Sequence, residues 1–161
     1  MQILITGAAG FIGFNLSKYL LENSKLKIFG VDNFNTYYSN SLKKDRIMEL
    51  KKFRNFRFEK IDITNKKKLD IFFKKKKISL IINLAAQAGV RYSLIKPTEY
   101  VDNNVLGFYN IISAANKYKV KRIIYASSSS VYGDSVIFPL SEKQKIKPKN
   151  IYALSKKINE E

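Results

Sequence analysis

The sequence contains no cysteine and no histidine. The absence of cysteine excludes disulfides, thiol nucleophiles and thiolate metal sites, and the absence of histidine removes the imidazole base and the commonest zinc ligand. Any acid or base in a reaction must therefore be tyrosine, lysine, aspartate or glutamate. Proline and glycine are scarce, with three and seven residues, and 45% of the residues are hydrophobic. This composition predicts a folded core and excludes a disordered or fibrous chain.

Long apolar runs are also missing. No segment approaches the roughly 20 apolar residues that cross a bilayer. The apolar start MQILITGAAGFIG lacks the basic leader of a secretory signal. We therefore expect a soluble cytoplasmic protein without membrane insertion. The 161 residues are enough for one domain and too few for a second full one.

Acidic residues are few: 13 Asp and Glu stand against 30 Lys and Arg, which gives a net charge of +17. Such a charge alone would suggest nucleic acid or an anionic membrane surface as a partner. The lysines, however, form short runs at 43–44, 51–52, 66–68 and 74–77, within or beside segments whose apolar positions have helical spacing. We interpret them as solvated helix faces. We expect no nucleic-acid partner, and a nucleic-acid binder is kept as an alternative.

Five short apolar segments alternate with helical patterns along the chain. The segments predict strands over residues 2–6, 26–31, 56–61, 79–84 and 121–126. Helices are predicted over 11–21, 42–52, 66–76 and 98–118, a final helix near the end of the chain, and loops over 33–41 and 87–97. Strands alternating with helices imply a parallel sheet built from right-handed crossovers. The predicted fold is a doubly wound, Rossmann-like α/β sheet.

The segment GAAGFIG, residues 7–13, directly follows the first predicted strand and opens the first helix. Gly7 permits a sharp turn, Gly10 lets the backbone approach a pyrophosphate, and Gly13 lets the helix pack on the strand. The helix N-terminus offers N–H groups and a partial positive charge to phosphates. Asp32 ends the second strand, where its carboxylate can accept hydrogen bonds from ribose hydroxyls and would repel a 2′-phosphate. The pattern favours NAD over NADP.

Weaker candidates follow the third and fourth strands. Asp62 and Ile63 could lie against the adenine, and a plain loop acid is an equally simple interpretation of Asp62. Ala85 and Ala86 would let the chain pass close to a cofactor, and small residues needed only for packing would produce the same pattern.

Ser128, Tyr152 and Lys156 are the candidate catalytic residues. In an open α/β sheet, ligands gather beyond the carboxyl ends of the strands, where Ser128 would lie. Tyr152 and Lys156 are one helical turn apart and share a face. An ammonium one turn away and a positive nicotinamide both favour the phenolate, and Ser128 would share the proton through a hydrogen bond to the substrate. A Y-x-x-x-K pair alone is most often a surface pair; the glycine segment makes the catalytic interpretation specific.

These motifs resemble the extended short-chain dehydrogenase/reductase superfamily and, within it, the NAD-dependent sugar-nucleotide epimerase/dehydratase family. The segments VDNFNTYYSNSLKKDRI, NLAAQAGVRYS, DNNVLGFYNII, YASSSSVYG and YALSKKINEE are similar to those of the UDP-glucuronate 4-epimerases. Ser129 and Ser130 stand where dehydratases of this superfamily usually carry an Asp-Glu pair, which favours epimerisation. UDP-galactose 4-epimerase, UDP-glucuronate decarboxylase, a dehydratase and a non-catalytic NAD-binding module are kept as alternatives.

The resemblance implies roles by position. It implies Ser128, Tyr152 and Lys156 as catalytic residues, Ser128, Ser129, Ser130 and Tyr152 as contacts of a nucleotide-sugar substrate, and Asn104 as a structural or proton-relay residue. Arg91 could face an anionic group, and a surface arginine is an equally simple interpretation. The implied NAD contacts are Gly7, Gly10, Phe11, Ile12, Gly13, Asp32, Asn33, Asp62, Ile63, Leu84, Ala85, Ala86, Asn104, Tyr152 and Lys156.

The resemblance also implies a reaction and a larger protein. In that reaction the Tyr152 phenolate removes the proton of the sugar 4-hydroxyl, and a 4-keto intermediate turns over before hydride returns to its other face. Members of the family continue beyond this length, with further strands and a C-terminal substrate domain, and the full-length protein is expected to form a homodimer. We therefore expect residues 1–161 to be an N-terminal NAD-binding domain that ends early in the catalytic helix and lacks turnover by itself.

Overall fold

Five short strands form one parallel sheet in the computed structural model, which describes all 161 residues. The strands are β1 (Gln2–Thr6), β2 (Lys27–Asp32), β3 (Phe56–Lys60), β4 (Leu80–Asn83) and β5 (Arg122–Tyr125). Their order across the sheet is β3-β2-β1-β4-β5. Because the strand order reverses between β1 and β4, a crevice opens at the carboxyl ends of these two strands. The predicted doubly wound α/β class is confirmed.

Helices cover both faces of the sheet. The α-helices are α1 (Phe11–Asn23), α2 (Asn40–Lys51), α3 (Lys66–Lys74), α4 (Val90–Ile95), α5 (Pro97–Tyr100), α6 (Gly107–Lys117) and α7 (Ile151–Glu160). A π-helical segment, Val101–Leu106, joins α5 to α6, and a 3₁₀ turn, Ser129–Tyr132, follows β5. None of the helices combines the length and the apolar character that crossing a bilayer requires.

The apolar core lies in two layers, one on each face of the sheet. Neighbouring side chains of a strand point to opposite faces. Leu4 therefore packs with residues of α3 and α6, whereas Ile3 and Ile5 pack with residues of α1 and α2. Since both faces of the sheet are covered, the central strands β1, β2 and β4 are largely apolar and buried, whereas the edge strand β3 alternates between apolar and polar residues.

The five predicted strands are confirmed to within about one residue at each end. One prediction between β4 and β5 is wrong, because the segment predicted as a loop, residues 87–97, contains α4. The helix predicted over 98–118 is confirmed as one unbroken helical run, which consists of α5, the π-helical segment and α6. The π-helical segment contains Asn104, whose side chain bonds to the main chain of Gln87. This tertiary contact coincides with a widened helical turn, which the apolar spacing does not reveal.

Candidate active site

The turn between β1 and α1 requires glycine at two positions. Gly7 has φ +68°, and a Cβ atom there would lie 2.8 Å from the backbone nitrogen of Ala85. A Cβ atom on Gly13 would lie 2.2 Å from the carbonyl oxygen of Gly7. The N–H of Gly10 donates to that same oxygen at 2.9 Å and closes the turn. The turn is therefore sharp and tightly packed, and its backbone is open to a ligand on the crevice side.

A cavity of about 300 Å³ lies beside this turn at the carboxyl ends of β1, β2 and β4. Its wall contains most of the predicted cofactor contacts: Gly7, Gly10, Phe11, Ile12, Gly13, Asp32, Asn33, Ile63, Leu84, Ala85 and Ala86. The predicted contacts Asp62, Asn104, Tyr152 and Lys156 and the catalytic candidate Ser128 do not form part of this wall.

Asp32 is a buried carboxylate on the cavity wall at the end of β2. Its Oδ2 accepts a hydrogen bond from the N–H of Ala9 at 3.2 Å, and its Oδ1 accepts one from the N–H of Phe34 at 2.8 Å. These bonds join the glycine turn to the segment after β2. Each carboxylate oxygen has two lone pairs, so acceptor capacity is left for a ligand hydroxyl in the cavity.

Asp62 supports the cavity wall from behind. Its Oδ2 accepts from the side-chain amide of Asn33 at 2.9 Å, and its Oδ1 accepts from the N–H and the hydroxyl of Thr64 at 2.8 and 2.7 Å. Burial would raise the pKa of Asp62, but the hydrogen bonds from Thr64 and Asn33 outweigh burial and lower it. The carboxylate thus stays ionised and orients Asn33, which does line the cavity.

Tyr152 and Lys156 lie on α7, which begins where the Asn150 side chain accepts from the N–H of Ala153 at 2.8 Å. The Tyr152 ring packs edge-on against Tyr100, with 6.0 Å between the ring centroids. Lys156 is only 5% exposed, and its Nζ donates to a backbone carbonyl at the end of β5. It forms no ion pair, and burial lowers the pKa of its ammonium to about 8.

Ser128, Ser129 and Ser130, the last three of the four serines after β5, lie in a tight turn. The Oγ of Ser128 accepts from the N–H of Ser130 at 3.2 Å and so caps the 3₁₀ turn. Ser128 and Ser130 are half-buried, whereas Ser129 is exposed. Because β5 is an edge strand of the sheet, this turn lies to the side of the crevice between β1 and β4.

Residues 4–161 match the family model described as GDP-mannose 4,6 dehydratase. The chain belongs to this family. The resemblance to sugar-nucleotide epimerases and dehydratases, inferred above from the motifs, is thereby confirmed.

Three relatives are similar to this chain over nearly its whole length. A UDP-glucuronate 4-epimerase of Thermodesulfobacterium geofontis is 45% identical over 156 residues, which are 96% of this chain and 47% of that protein. The crystal structure of Bacillus cereus UDP-glucuronic acid 4-epimerase in complex with UDP-glucuronic acid and NAD has a TM-score of 0.91 at 35% identity, with 99% of this chain and 50% of that chain covered.

The third relative is the dTDP-glucose 4,6-dehydratase of Bacillus anthracis, solved in complex with NAD. It has a TM-score of 0.84 at 26% identity, with 99% of this chain and 48% of that chain covered. The dehydratase-family chain therefore spans about half the length of the relatives that it matches.

One interpretation of the lysines in this dehydratase-family chain is wrong. Lys43, assigned to a solvated helix face, is 5% exposed and lines the cavity. Its Nζ donates to the backbone oxygen and the Oδ1 of Asn35, at 2.9 and 2.7 Å. Burial lowers the pKa of this ammonium, and the nearby Asp32 partly offsets that effect. A signal was present in the sequence, because Lys43, Ile47 and Leu50 have the spacing of one buried helix face.

Several polar residues of the site have no sequence motif. Tyr100 is fully buried, and its hydroxyl lies 2.8 and 2.5 Å from the carbonyl oxygens of Ala88 and Gly89, which share its single proton. Burial raises the pKa of Tyr100 to about 12. Gln87, on the cavity wall, bonds through its backbone to the buried side chain of Asn104. The side chain of Asn104 thus fixes the backbone of Gln87 in the segment after β4.

Proposed function

We propose that the crevice binds NAD. The observation that carries this proposal is that the Asp32 carboxylate and the glycine turn face one cavity at the point where the strand order reverses. Gly10 caps α1 without a side-chain acceptor, so the first N–H groups of that helix are available to an anion. Relatives at 35% and 26% identity were solved in complex with NAD, which supports the same ligand here.

The residues on the cavity wall fit the parts of a dinucleotide. The N–H groups at the start of α1 would bind the pyrophosphate, and Gly7 and Gly10 would let it approach the backbone. Asp32 would accept from the hydroxyls of the adenosine ribose, and its negative charge disfavours a 2′-phosphate. Ile63 lines the same cavity and offers an apolar surface for the adenine.

We further propose that the chain supplies the catalytic side chains of a sugar-nucleotide 4-epimerase. NAD, when bound, accepts and returns the hydride of the sugar C4. Tyr152 removes the proton of the 4-hydroxyl as a phenolate and returns it afterwards, and Ser128 hydrogen-bonds to the same oxygen. Lys156 uses one N–H to reach the end of β5. Its other two donors can bind a ribose hydroxyl, and its charge stabilises the phenolate.

UDP-glucuronate is the substrate that we propose. Its support is the 45% identity to a UDP-glucuronate 4-epimerase, together with Ser129 and Ser130 at the positions of the dehydratase Asp-Glu pair. The exposed apolar side chains of Tyr109 and Ile112 on α6 and of Ile158 on α7 support a homodimer of the full-length protein.

Titration of the purified chain with NAD, followed by calorimetry, tests the cofactor proposal. We expect saturable binding of NAD and weaker binding of NADP, because the Asp32 carboxylate repels a 2′-phosphate. A folded chain that binds neither dinucleotide would refute the proposal.

A chimera tests the substrate proposal. The 161 residues are joined to the remaining half of the Bacillus cereus epimerase, and the products formed from UDP-glucuronate are separated by chromatography. We expect conversion to UDP-galacturonate, and its loss in the Tyr152→Phe chimera. A folded chimera that binds NAD and leaves UDP-glucuronate unchanged would contradict the assignment.

A further inference from the structure

A continuous row of hydrogen bonds begins at Lys43 on the Asp32 side of the crevice. The Lys43 ammonium donates to the backbone oxygen and the Oδ1 of Asn35, at 2.9 and 2.7 Å. The other end of the same amide, Asn35 Nδ2, donates to Gln87 Oε1 at 3.1 Å. The segment between β2 and α2 is thus fastened to the segment that follows β4.

The row continues from Gln87 to the helix that carries Tyr152. The Oδ1 of Asn104 accepts from the N–H of Gln87 at 2.7 Å, and Asn104 Nδ2 donates to the carbonyl of Gln87 at 3.1 Å and to the Oγ of Ser155 at 3.0 Å. The hydroxyl of Ser155 donates in turn to the backbone oxygen of Tyr152 at 2.7 Å. The row therefore ends in the first turn of α7.

Most side chains of this row are buried. Lys43, Gln87, Asn104 and Ser155 are all buried, and hydrogen bonds are stronger, and their loss more costly, in such surroundings. The side chains of Asn35, Asn104 and Ser155 bond in both directions along the row, and Gln87 connects them through its side-chain oxygen and its backbone. These properties distinguish the row from a set of isolated surface hydrogen bonds.

A second connection runs parallel to the hydrogen bonds. Tyr37, in the same segment between β2 and α2, packs on Tyr92 with 4.9 Å between ring centroids. Tyr92 packs on Tyr100 at 6.4 Å, and Tyr100 packs on Tyr152 at 6.0 Å. Both connections therefore include residues of the segment between β2 and α2, and both end at Tyr152, the proposed base.

We propose that Asn35 and Gln87 are positioning residues that tie the segment after Asp32 to α7, so that the location of the Tyr152 phenol depends on that segment. The importance of this coupling for a reaction rests on the proposed function. Asn35 and Gln87 do not react; they act through Asn104 and Ser155 on the backbone of Tyr152. A cofactor seated against the segment after Asp32 would stabilise the helix that carries the base.

The test is a cycle of substitutions read by NMR of the chain labelled with ¹³C at the tyrosine ζ carbon, without any ligand and at one pH. The Tyr152→Phe variant identifies the Tyr152 signal. The substitutions are Asn35→Leu, Gln87→Met and the two combined. Gln2→Met is the matched control, because Gln2 begins β1 at the opposite end of the sheet.

We expect the Tyr152 signal to shift in each single variant and to shift no further in the double variant, because each change interrupts the same row. The Gln2→Met control should leave the signal in place. An unshifted signal in a folded Asn35→Leu chain, or shifts that simply add in the double variant, would overturn the proposal. A purely structural role would lower the melting temperature without this pattern.

A second variant covers the case in which Gln87→Met does not fold. Asn35→Ser removes the amide donor in a half-exposed segment, and it should shift the Tyr152 signal by itself; an unshifted signal there would also overturn the proposal. Because no cofactor is present, the outcome does not depend on NAD binding. A shifted Tyr152 signal in a chain that fails to bind NAD would support the coupling and refute only the cofactor assignment.

Discussion

The Nζ of Lys156 donates a hydrogen bond of 2.8 Å to the backbone carbonyl of Ala126, directly after β5. This bond fastens α7 to the sheet through a buried ammonium that has no carboxylate partner. A buried charge without a counter-charge opposes folding unless hydrogen bonds compensate for it. The proposed role of Lys156 beside Tyr152 therefore carries a cost in folding stability.

The stability of the chain should rise with pH because of Lys156. Burial lowers the pKa of this group from 10.5 to about 8. Between these values the unfolded chain binds more protons than the folded chain, so the free energy of unfolding increases as pH rises from about 8 to about 10.5. The increase should be about 3 kcal/mol from this residue.

Urea unfolding at several pH values measures this effect as a difference between variants. Lys156→Met lacks the titrating group, so its stability should gain about 3 kcal/mol less than the wild type across the same pH range. Lys157→Met is the control, since the ammonium of Lys157 is paired with Glu161 at 3.3 Å near the surface. Parallel pH profiles for the wild type and Lys156→Met would contradict the effect of burial.

Gly13→Ala should destabilise the fold strongly. The added methyl group would lie 2.2 Å from the carbonyl oxygen of Gly7, a backbone atom that cannot move aside without opening the turn. Overpacking of this kind costs about 1–3 kcal/mol. Gly10→Ala is the matched comparison, because its methyl group would lie 3.1 Å from the same oxygen. Equal melting temperatures for the two variants would show that the turn is looser than described.

Asp32→Ala should weaken NAD binding by about 10- to 100-fold, because hydrogen bonds to charged groups are each worth about 1.5–3 kcal/mol. Calorimetric titration of folded protein measures the change. Asp134→Ala removes a carboxylate whose side chain is 84% exposed, and it should leave NAD affinity unaltered. An equal loss of NAD affinity in both variants would indicate that the net charge of the protein, and not a contact between Asp32 and the ribose, determines binding.

Tyr100→Phe should lower the free energy of unfolding by about 1–3 kcal/mol, because two half-buried carbonyls lose the donor that they share. The hydroxyl of Tyr100 lies between Ala88 and Gly89, at the start of α4. Tyr109→Phe alters a residue on α6 that is 59% exposed, and it should have little effect. Urea unfolding measures the free energy of unfolding of both variants. An unchanged value for Tyr100→Phe would show that the hydrogen bonds of this hydroxyl make no net contribution to stability.

The sequence by itself determined the features that depend on neighbouring residues. The apolar runs predicted all five strands, and the glycine spacing with Asp32 at the end of β2 predicted one side of the cavity. These signals are local, because a strand, a tight turn and the start of a helix are each specified within a few residues.

Only the tertiary structure decided the remainder of the site. In the folded chain Lys43 is buried and Asn104 lies in a π-helical segment. Asn35 bonds to Gln87 and Asn104 bonds to Ser155, and these pairs are 52 and 51 residues apart in the chain. Such hydrogen bonds leave no periodic pattern in a sequence. They form because the parallel sheet brings the ends of distant strands to one edge, where each buried polar group must find a partner.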